Sequence, residues 1–152
     1  MRCNILNIKQ QNDLPVVMKE RGINISLDSI RSPRDIRLCF EEIYRVSSLL
    51  EEYVYLVCFR STKLLGIFEI SHGGINISHV APGSIFLRLL LIGSTDFLLV
   101  HNHPSGNCYP SKEDREITEI IKKIAQMHSI NFLDHIILSD VNEYSFMRDE
   151  KL

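Results

Sequence analysis

The sequence Asp-Phe-Leu-Leu-Val-His-Asn-His-Pro-Ser-Gly occupies residues 96–106, where an apolar run leads directly into two histidines. A short and nearly continuous apolar run of this kind is typical of a strand buried on both faces. His101 and His103 stand at its end, and residues two apart on an extended segment point to the same side. Both imidazoles can therefore approach one cation without a turn between them.

A loop and a helix follow the histidines. Two prolines and a glycine within residues 104–110 predict the loop, and residues 111–126 have the pattern of an amphipathic helix. The apolar stripe of this helix is expected to consist of Ile117, Ile120, Ile121 and Ile124. Asp114 falls in the first turn, where exposed backbone N–H groups favour a carboxylate.

Two imidazoles and one carboxylate are donors that zinc accepts, and three protein ligands leave one tetrahedral position open for water. An open position separates catalytic zinc sites from closed structural ones. Bound zinc lowers the pKa of water towards roughly 7, but a general base is still needed to move the proton. The sequence therefore predicts a catalytic zinc site that also requires a carboxylate from elsewhere in the chain.

These residues resemble the JAMM (MPN-plus) metalloprotease motif, in which an upstream Glu is followed by His-x-His-Pro, a Ser, and an Asp three places after that Ser. The downstream part is present as His-Asn-His-Pro at residues 101–104 and as Ser111 with Asp114. His-Asn-His-Pro-Ser-Gly at residues 101–106 and Leu-Asp-His-Ile-Ile at residues 133–137 are similar to the RadC-like branch. The chain is identified as a member of the RadC-like JAB/MPN (JAMM) family over roughly residues 45–150.

The resemblance implies a role for each matching residue. His101, His103 and Asp114 are expected to be the ligands of Zn²⁺, and Ser111 is expected to support the oxyanion formed during attack. The family places its upstream Glu just before the first strand, and alignment through that strand selects Glu52 as the general base. Glu51 stays open as a second choice, because a one-residue slip reverses the face that a strand residue occupies.

The remaining elements predict an α/β fold with a mixed β-sheet flanked by helices. Strands are expected at residues 53–60 and 64–71 as a hairpin, then near 75–80, at 131–138 and around 144–147. A further helix before Gly93 has the apolar residues Ile85, Phe86, Leu89, Leu90 and Ile92 at helical spacing. The resemblance implies the same architecture, an MPN/JAB, cytidine-deaminase-like sandwich.

The chain is expected to divide into residues 1–30, an N-terminal leader that adds an edge element or stays partly mobile, and residues 31–152, the RadC-like JAB/MPN domain. Ser32 as N-cap and Pro33 at the first helical position open a helix predicted to run towards Leu50. Its expected buried stripe is Ile36, Phe40, Ile43, Tyr44 and Leu49.

Composition narrows the classes of function. The net charge of −2 and the pI near 6.3 give no overall attraction to nucleic acid, so a nucleic-acid partner is possible only through a local patch. Neither a membrane span nor a secretory signal is apparent, which predicts a cytoplasmic protein. The four cysteines form no C-x-x-C pair and are expected to be reduced; Cys108, beside the site, is interpreted as an ordinary loop thiol.

Each site residue also has a structural interpretation. Ser111 and Asp114 match an acidic variant of the capping box, a role compatible with chemistry. Without the motif, Glu51 and Glu52 would be surface residues, and His135 is expected to be a hydrogen-bonded structural histidine rather than a metal ligand.

The leading hypothesis is a zinc-dependent JAMM-type hydrolase that cleaves a peptide or isopeptide amide bond in a polypeptide substrate. The alternative is a RadC-like DNA-repair or mobile-element-associated module without independent peptidase activity, and a non-catalytic scaffold ranks third. The chain also departs from the RadC-like pattern at Arg60, where an acidic residue is usual, and at residues 81–84, where His-Pro-Arg-Glu is usual. Oligomeric state cannot be inferred from the sequence.

Overall fold

The structure is a computed structural model that describes residues 1–73, 80–150 and 152. Within that part of the chain, seven strands and four α-helices form one α/β unit, which confirms the predicted fold class. The elements are β1 (Arg2–Gln11), β2 (Leu14–Asn24), α1 (Pro33–Tyr44), β3 (Tyr53–Arg60), β4 (Lys63–His72), α2 (Pro82–Ile92), β5 (Asp96–Asn102), α3 (Lys112–Met127), β6 (Asn131–Leu138), β7 (Glu143–Ser145) and α4 (Phe146–Glu150).

The strands form a mixed sheet in the order β2-β1-β4-β3-β5-β6-β7. The pairs β1/β4 and β5/β6 are parallel, and the other neighbouring pairs are antiparallel. β5 lies between β3 and β6, and six of its seven residues are buried. The apolar run before the histidines is therefore an inner strand, covered on both faces as its composition predicts.

Helices cover both faces of the sheet. One face packs Leu56, Phe97 and Leu99 against α2 and α3, while the other packs Tyr55, Leu98 and Val100 against α1. Because side chains alternate along a strand, His101 follows Phe97 and Leu99 onto the face that carries α3. His135 of β6 is placed on the same face, since its neighbours Ile136 and Leu138 belong to the opposite cluster.

The first strands extend the sheet on one side. β1 and β2 form a hairpin, and β1 pairs with β4 so that β2 lies at the edge. Hairpin and domain thus share one sheet, while the division of the chain at residue 30 stays a prediction.

The helix predicted to run towards Leu50 ends earlier, at Tyr44. Arg45 adopts a left-handed conformation with φ of 51°, and its N–H donates to the Glu41 carbonyl oxygen. The Glu41 carboxylate then accepts hydrogen bonds from the Ser47 N–H and hydroxyl, which hold a short 3-10 turn at Val46–Ser48. The predicted N-terminus is confirmed, because the Ser32 hydroxyl accepts a hydrogen bond from the Asp35 N–H.

The apolar stripes of α2 and α3 are narrower than predicted. Leu90 is 58% exposed and Ile120 is 47% exposed, so neither belongs to the core. On α3, Thr118 and Ala125 are buried beside Ile117 and Ile121. Small and polar side chains thus complete the inner face of α3 where it approaches the histidines.

The C-terminal strand is also shorter than predicted. β7 ends at Ser145, and α4 begins at Phe146 instead of the strand continuing to Met147. The Asp134 carboxylate accepts hydrogen bonds from the Ser145 hydroxyl and the Met147 N–H, which start the helix. The extended piece predicted near residues 75–80 lies almost entirely outside the described residues.

Arg60, one of the departures from the family pattern, closes α2. Its guanidinium donates hydrogen bonds to the carbonyl oxygens of Ile92 and Gly93, which at the end of a helix have no N–H donor within the helix. Gly93 caps the same end with φ of 64°.

No helix among the described residues combines the length and apolar character needed to cross a bilayer.

Replacing Gly66 of β4 with Ala is expected to lower the free energy of unfolding by about 1–3 kcal/mol in urea denaturation. A Cβ at this position would lie 2.6 Å from Leu6 Cδ1 and 2.7 Å from the Asn4 carbonyl oxygen, so β1 would have to move away. Gly83→Ala is the matched control, because a Cβ there meets nothing within 4 Å. Equal stability of the two variants would contradict the close packing of β1 on β4.

Candidate metal centre

Three side chains converge at the end of β5. The Nε2 atoms of His101 and His103 are 3.0 Å apart, His101 Nε2 lies 3.3 Å from Asp114 Oδ1, and His103 Nε2 lies 3.6 Å from Asp114 Oδ2. One donor atom from each residue falls within 4.8 Å of the others. The structure thus brings together the three residues that the motif predicts as ligands.

The centre is buried on the protein side and open at His103. His101 is 1% exposed and Asp114 is 2% exposed, whereas His103 is half-buried. The Nδ1 of His103 is 2.7 Å from the carbonyl oxygen of Asn107, which can only accept a hydrogen bond. His103 therefore donates through Nδ1 and turns the lone pair of Nε2 towards the other two residues.

Asp114 is held by the start of α3. Its Oδ2 accepts hydrogen bonds from the Ser111 N–H at 2.7 Å and from the Ser111 hydroxyl at 2.6 Å, and its own N–H donates to Ser111 Oγ at 3.1 Å. These contacts complete the capping box. The helix start therefore fixes the carboxylate in orientation and leaves Oδ1 directed at His101.

The electrostatics of the cluster favour an ionised Asp114 carboxylate and a neutral His101, and they shift His103 in the opposite direction, towards its protonated form. Burial, together with the nearby His135, lowers the pKa of His101 well below its usual value. Burial opposes ionisation of Asp114, but the hydrogen bonds and charges of His103, His101 and Ser111 outweigh it and lower its pKa. For His103, burial acts in the lowering direction, and hydrogen bonds to Asp114 and Asn107 raise the pKa overall.

The donor set fits a divalent metal. Two imidazole nitrogens and one carboxylate oxygen are the donors typical of catalytic zinc, and the structure directs all three towards one another. Two nitrogen lone pairs at 3.0 Å repel unless a proton or a cation lies between them. No further His, Cys, Asp or Glu cluster of this kind occurs among residues 1–73 and 80–150.

The two candidate general bases differ in position. Glu52 is half-buried, and burial raises the pKa of its carboxyl, while the charges of His103 and Asp114 also act on it in opposite directions. Glu51 is exposed, and its Oε2 lies 3.7 Å from where a Cβ on Gly73 would be. The charges of His103 and Asp114 act on the Glu52 carboxyl, which places Glu52 near the cluster; its role as general base stays a prediction.

Asn102 holds the backbone around Glu52, a contact that sequence reasoning missed. Its Oδ1 accepts from the Tyr53 N–H at 2.9 Å, and its Nδ2 donates to the Glu51 carbonyl oxygen at 3.0 Å. Asn102 is 2% exposed. The sequence could have indicated this role, since Asn102 stands between the two site histidines at the end of a strand predicted to be buried. A polar side chain buried in an inner strand needs a specific hydrogen-bond partner.

His135 and Thr118 lie behind the cluster. His135 is fully buried, and burial lowers its pKa to about 4. As predicted, His135 is a hydrogen-bonded histidine outside the set of candidate ligands. Thr118 was missed, although its place one helical turn after Asp114 puts both on one face of α3.

Cys108 is separate from the donor cluster. Its thiol packs against the small core of Ile137, Tyr144 and Phe146, and burial raises its pKa. The four cysteines are all free thiols.

Comparisons with known proteins agree with the motif. The profile of the RadC-like JAB domain matches residues 30–152. A UPF0758 protein of Carboxydothermus hydrogenoformans is 40% identical over 111 residues, which cover 72% of this chain and 48% of that protein. A UPF0758 protein of Alkaliphilus metalliredigens is 36% identical over 141 residues, which cover 88% of this chain and 59% of that protein.

The chain spans about half the length of the curated relatives it matches. The profile nevertheless covers all of the elements from α1 to α4, including both histidines, Asp114 and Glu52. The family expectation drawn from the motif is confirmed: this chain belongs to the RadC-like JAB domain family.

Proposed function

We propose that this chain is a zinc-dependent hydrolase of the JAMM type that cleaves a peptide or isopeptide amide bond in a polypeptide. The observation that supports this most directly is the convergence of His101, His103 and Asp114, with the half-buried Glu52 within electrostatic reach of them. A buried cluster of two imidazoles and one carboxylate is costly to fold without a cation, which favours a functional rather than a purely structural role.

In this proposal His101, His103 and Asp114 hold the zinc. When bound, zinc supplies Lewis-acid chemistry: it makes water more acidic and polarises a carbonyl group. The carboxylate of Asp114 adds negative charge to the site, and its pairing with Ser111 keeps it ionised and oriented. His103 is the least buried of the three residues, so we propose that a substrate approaches from its side.

Glu52 is the proposed proton carrier. Burial raises the pKa of its carboxyl above the ordinary glutamate value, so it accepts a proton from water more readily than an exposed carboxylate does. The same carboxyl can then release that proton to the departing amine. Asn102 holds the backbone on both sides of Glu52 and so limits the positions that the carboxyl can take.

The proposed oxyanion role of Ser111 requires a change in its hydrogen bond. The single hydroxyl hydrogen of Ser111 is directed to Asp114 Oδ2, at 2.6 Å. To stabilise an oxyanion, the hydroxyl must rotate that hydrogen away from Asp114 while the Ser111 N–H keeps the carboxylate in place.

A polypeptide is favoured over a nucleic acid as the partner. The net charge of −2 provides no overall attraction to a phosphate backbone. The relatives are about twice as long as the matched region. The proposed polypeptide substrate is therefore a proposal for this domain and not for the whole of such a longer protein.

The wild-type protein is expected to retain one zinc ion per chain after dialysis, measured by inductively coupled plasma mass spectrometry. His103→Ala and Asp114→Ala should lose it, because each removes one of three donors. His72→Ala is the matched control, as His72 is an exposed histidine bonded to Glu69 outside the cluster. Equal zinc content in the His72→Ala and His103→Ala proteins would contradict the assignment.

Glu52→Gln is expected to reduce the rate of zinc-dependent amide hydrolysis by a factor on the order of 10²–10⁴, the usual contribution of a general base, while zinc content stays unchanged. The assay uses a pool of fluorogenic peptide and isopeptide substrates, with His103→Ala as the blank. Glu51→Gln is the paired control and should retain activity, because Glu51 is exposed beside Gly73. Hydrolysis by the wild-type protein no faster than by the blank would refute the proposed activity.

A further inference from the structure

A continuous hydrogen-bonded chain connects the two elements that carry the candidate ligands. His101 Nδ1 lies 2.8 Å from His135 Nε2, His135 Nδ1 lies 2.6 Å from Thr118 Oγ1, and Thr118 Oγ1 lies 2.5 Å from the Asp114 carbonyl oxygen. All four residues are at most 2% exposed. This series of hydrogen bonds begins at His101 on β5, passes through His135 on β6 and ends on α3.

The direction of each hydrogen bond can be assigned from its far end. The Asp114 carbonyl oxygen can only accept, so the single hydroxyl hydrogen of Thr118 is donated to it. Thr118 Oγ1 then has only lone pairs left for its second contact. His135 must therefore carry a hydrogen on Nδ1 and donate it to Thr118.

The next link follows from burial. His135 is 0% exposed, and within the described part of the chain its hydrogen-bond partners are His101 and Thr118 and include no carboxylate, so a doubly protonated, charged ring is disfavoured there. A neutral His135 with its hydrogen on Nδ1 has a lone pair on Nε2. That lone pair accepts from His101, which must carry its hydrogen on Nδ1.

The consequence appears at the other nitrogen of His101. With its hydrogen on Nδ1, the His101 ring presents a bare lone pair on Nε2, the atom that lies 3.0 Å from His103 Nε2 and 3.3 Å from Asp114 Oδ1. The hydrogen bond from His103 Nδ1 to the Asn107 carbonyl has the same effect on His103. In both rings Nδ1 thus carries the donated hydrogen, which leaves Nε2 as the nitrogen that can bind a cation.

We propose that Thr118 and His135 are positioning residues that fix His101 in the Nδ1–H tautomer and thereby prepare its Nε2 to bind a metal ion. The inference deepens the proposed function and rests on it for the identity of the ion as zinc. The tautomer itself is a property of the metal-free protein, so it can be tested separately.

The first test reads the tautomers of metal-free wild-type protein by long-range ¹H–¹⁵N correlation spectroscopy of ¹⁵N-histidine-labelled samples at pH 7.5. We expect hydrogens on Nδ1 of both His101 and His135. Assignment uses His135→Gln, which removes one set of ring signals. A wild-type His101 that carries its hydrogen on Nε2 would overturn the proposal, even in a protein that binds zinc.

The second test replaces Thr118 with Val, which keeps the shape and removes the hydroxyl. Nδ1 of His135 then has no acceptor, so its hydrogen is expected to move to Nε2 and be donated to His101, which blocks Nε2 of His101. Zinc affinity, measured by competition with a chromophoric chelator, should fall by about 10- to 100-fold. Thr118→Ser, which retains the hydroxyl, should restore the wild-type tautomer and affinity.

The outcomes separate the two proposals. A Thr118→Val protein with unchanged tautomers, or with switched tautomers and unchanged zinc affinity, would overturn the positioning role while the zinc hydrolase proposal stands. A wild-type protein that binds no zinc would refute the proposed function, while the spectra of the metal-free protein would still decide the tautomer. The wild-type spectra also keep the test decisive if Thr118→Val does not fold.

Discussion

The repulsion between two buried imidazole lone pairs is the constraint on which the rest of the site depends. His101 and His103 direct their Nε2 atoms at each other across 3.0 Å, and Asp114 adds a carboxylate oxygen at 3.3 Å from the first of them. Such a group is stable only with a positive charge among the three residues. Each other feature of the site either holds this arrangement in place or makes use of it.

The fold holds the arrangement through one inner strand and one helix start. β5 is paired on both sides, so its end has little freedom, and its alternation places His101 on the face covered by α3. The capping box at Ser111 sets the first turn of α3 and the Asp114 carboxylate together. Ser111 both caps α3 and orients the Asp114 carboxylate, so its structural interpretation and its role at the site are compatible.

Much of this could be predicted from the sequence because the signals are local. The hairpin of β3 and β4, the inner strand β5, the start of α1 and the spacing of His101, His103 and Asp114 each depend on a few neighbouring residues. The N-terminal hairpin was harder to predict because β2 is mostly exposed, so its apolar alternation is weak. The end of α1 depends on a left-handed Arg45 and on the Glu41 carboxylate, which no periodic pattern reveals.

The contacts of Thr118, His135 and Asn102 could not be predicted for a different reason. They depend on which strands are neighbours: His135 reaches His101 because β6 pairs with β5 in parallel, and Asn102 reaches the backbone of Glu51 and Tyr53 because β5 pairs with β3. Each of these residues is buried and polar, and each satisfies its hydrogen bonds with a group that adjoins a candidate ligand or the candidate base. The ligands of a metal site need orientation as much as they need the right donor atoms. A buried polar side chain that accompanies a metal motif is therefore better interpreted as a hydrogen-bond partner that orients a ligand than as a further ligand.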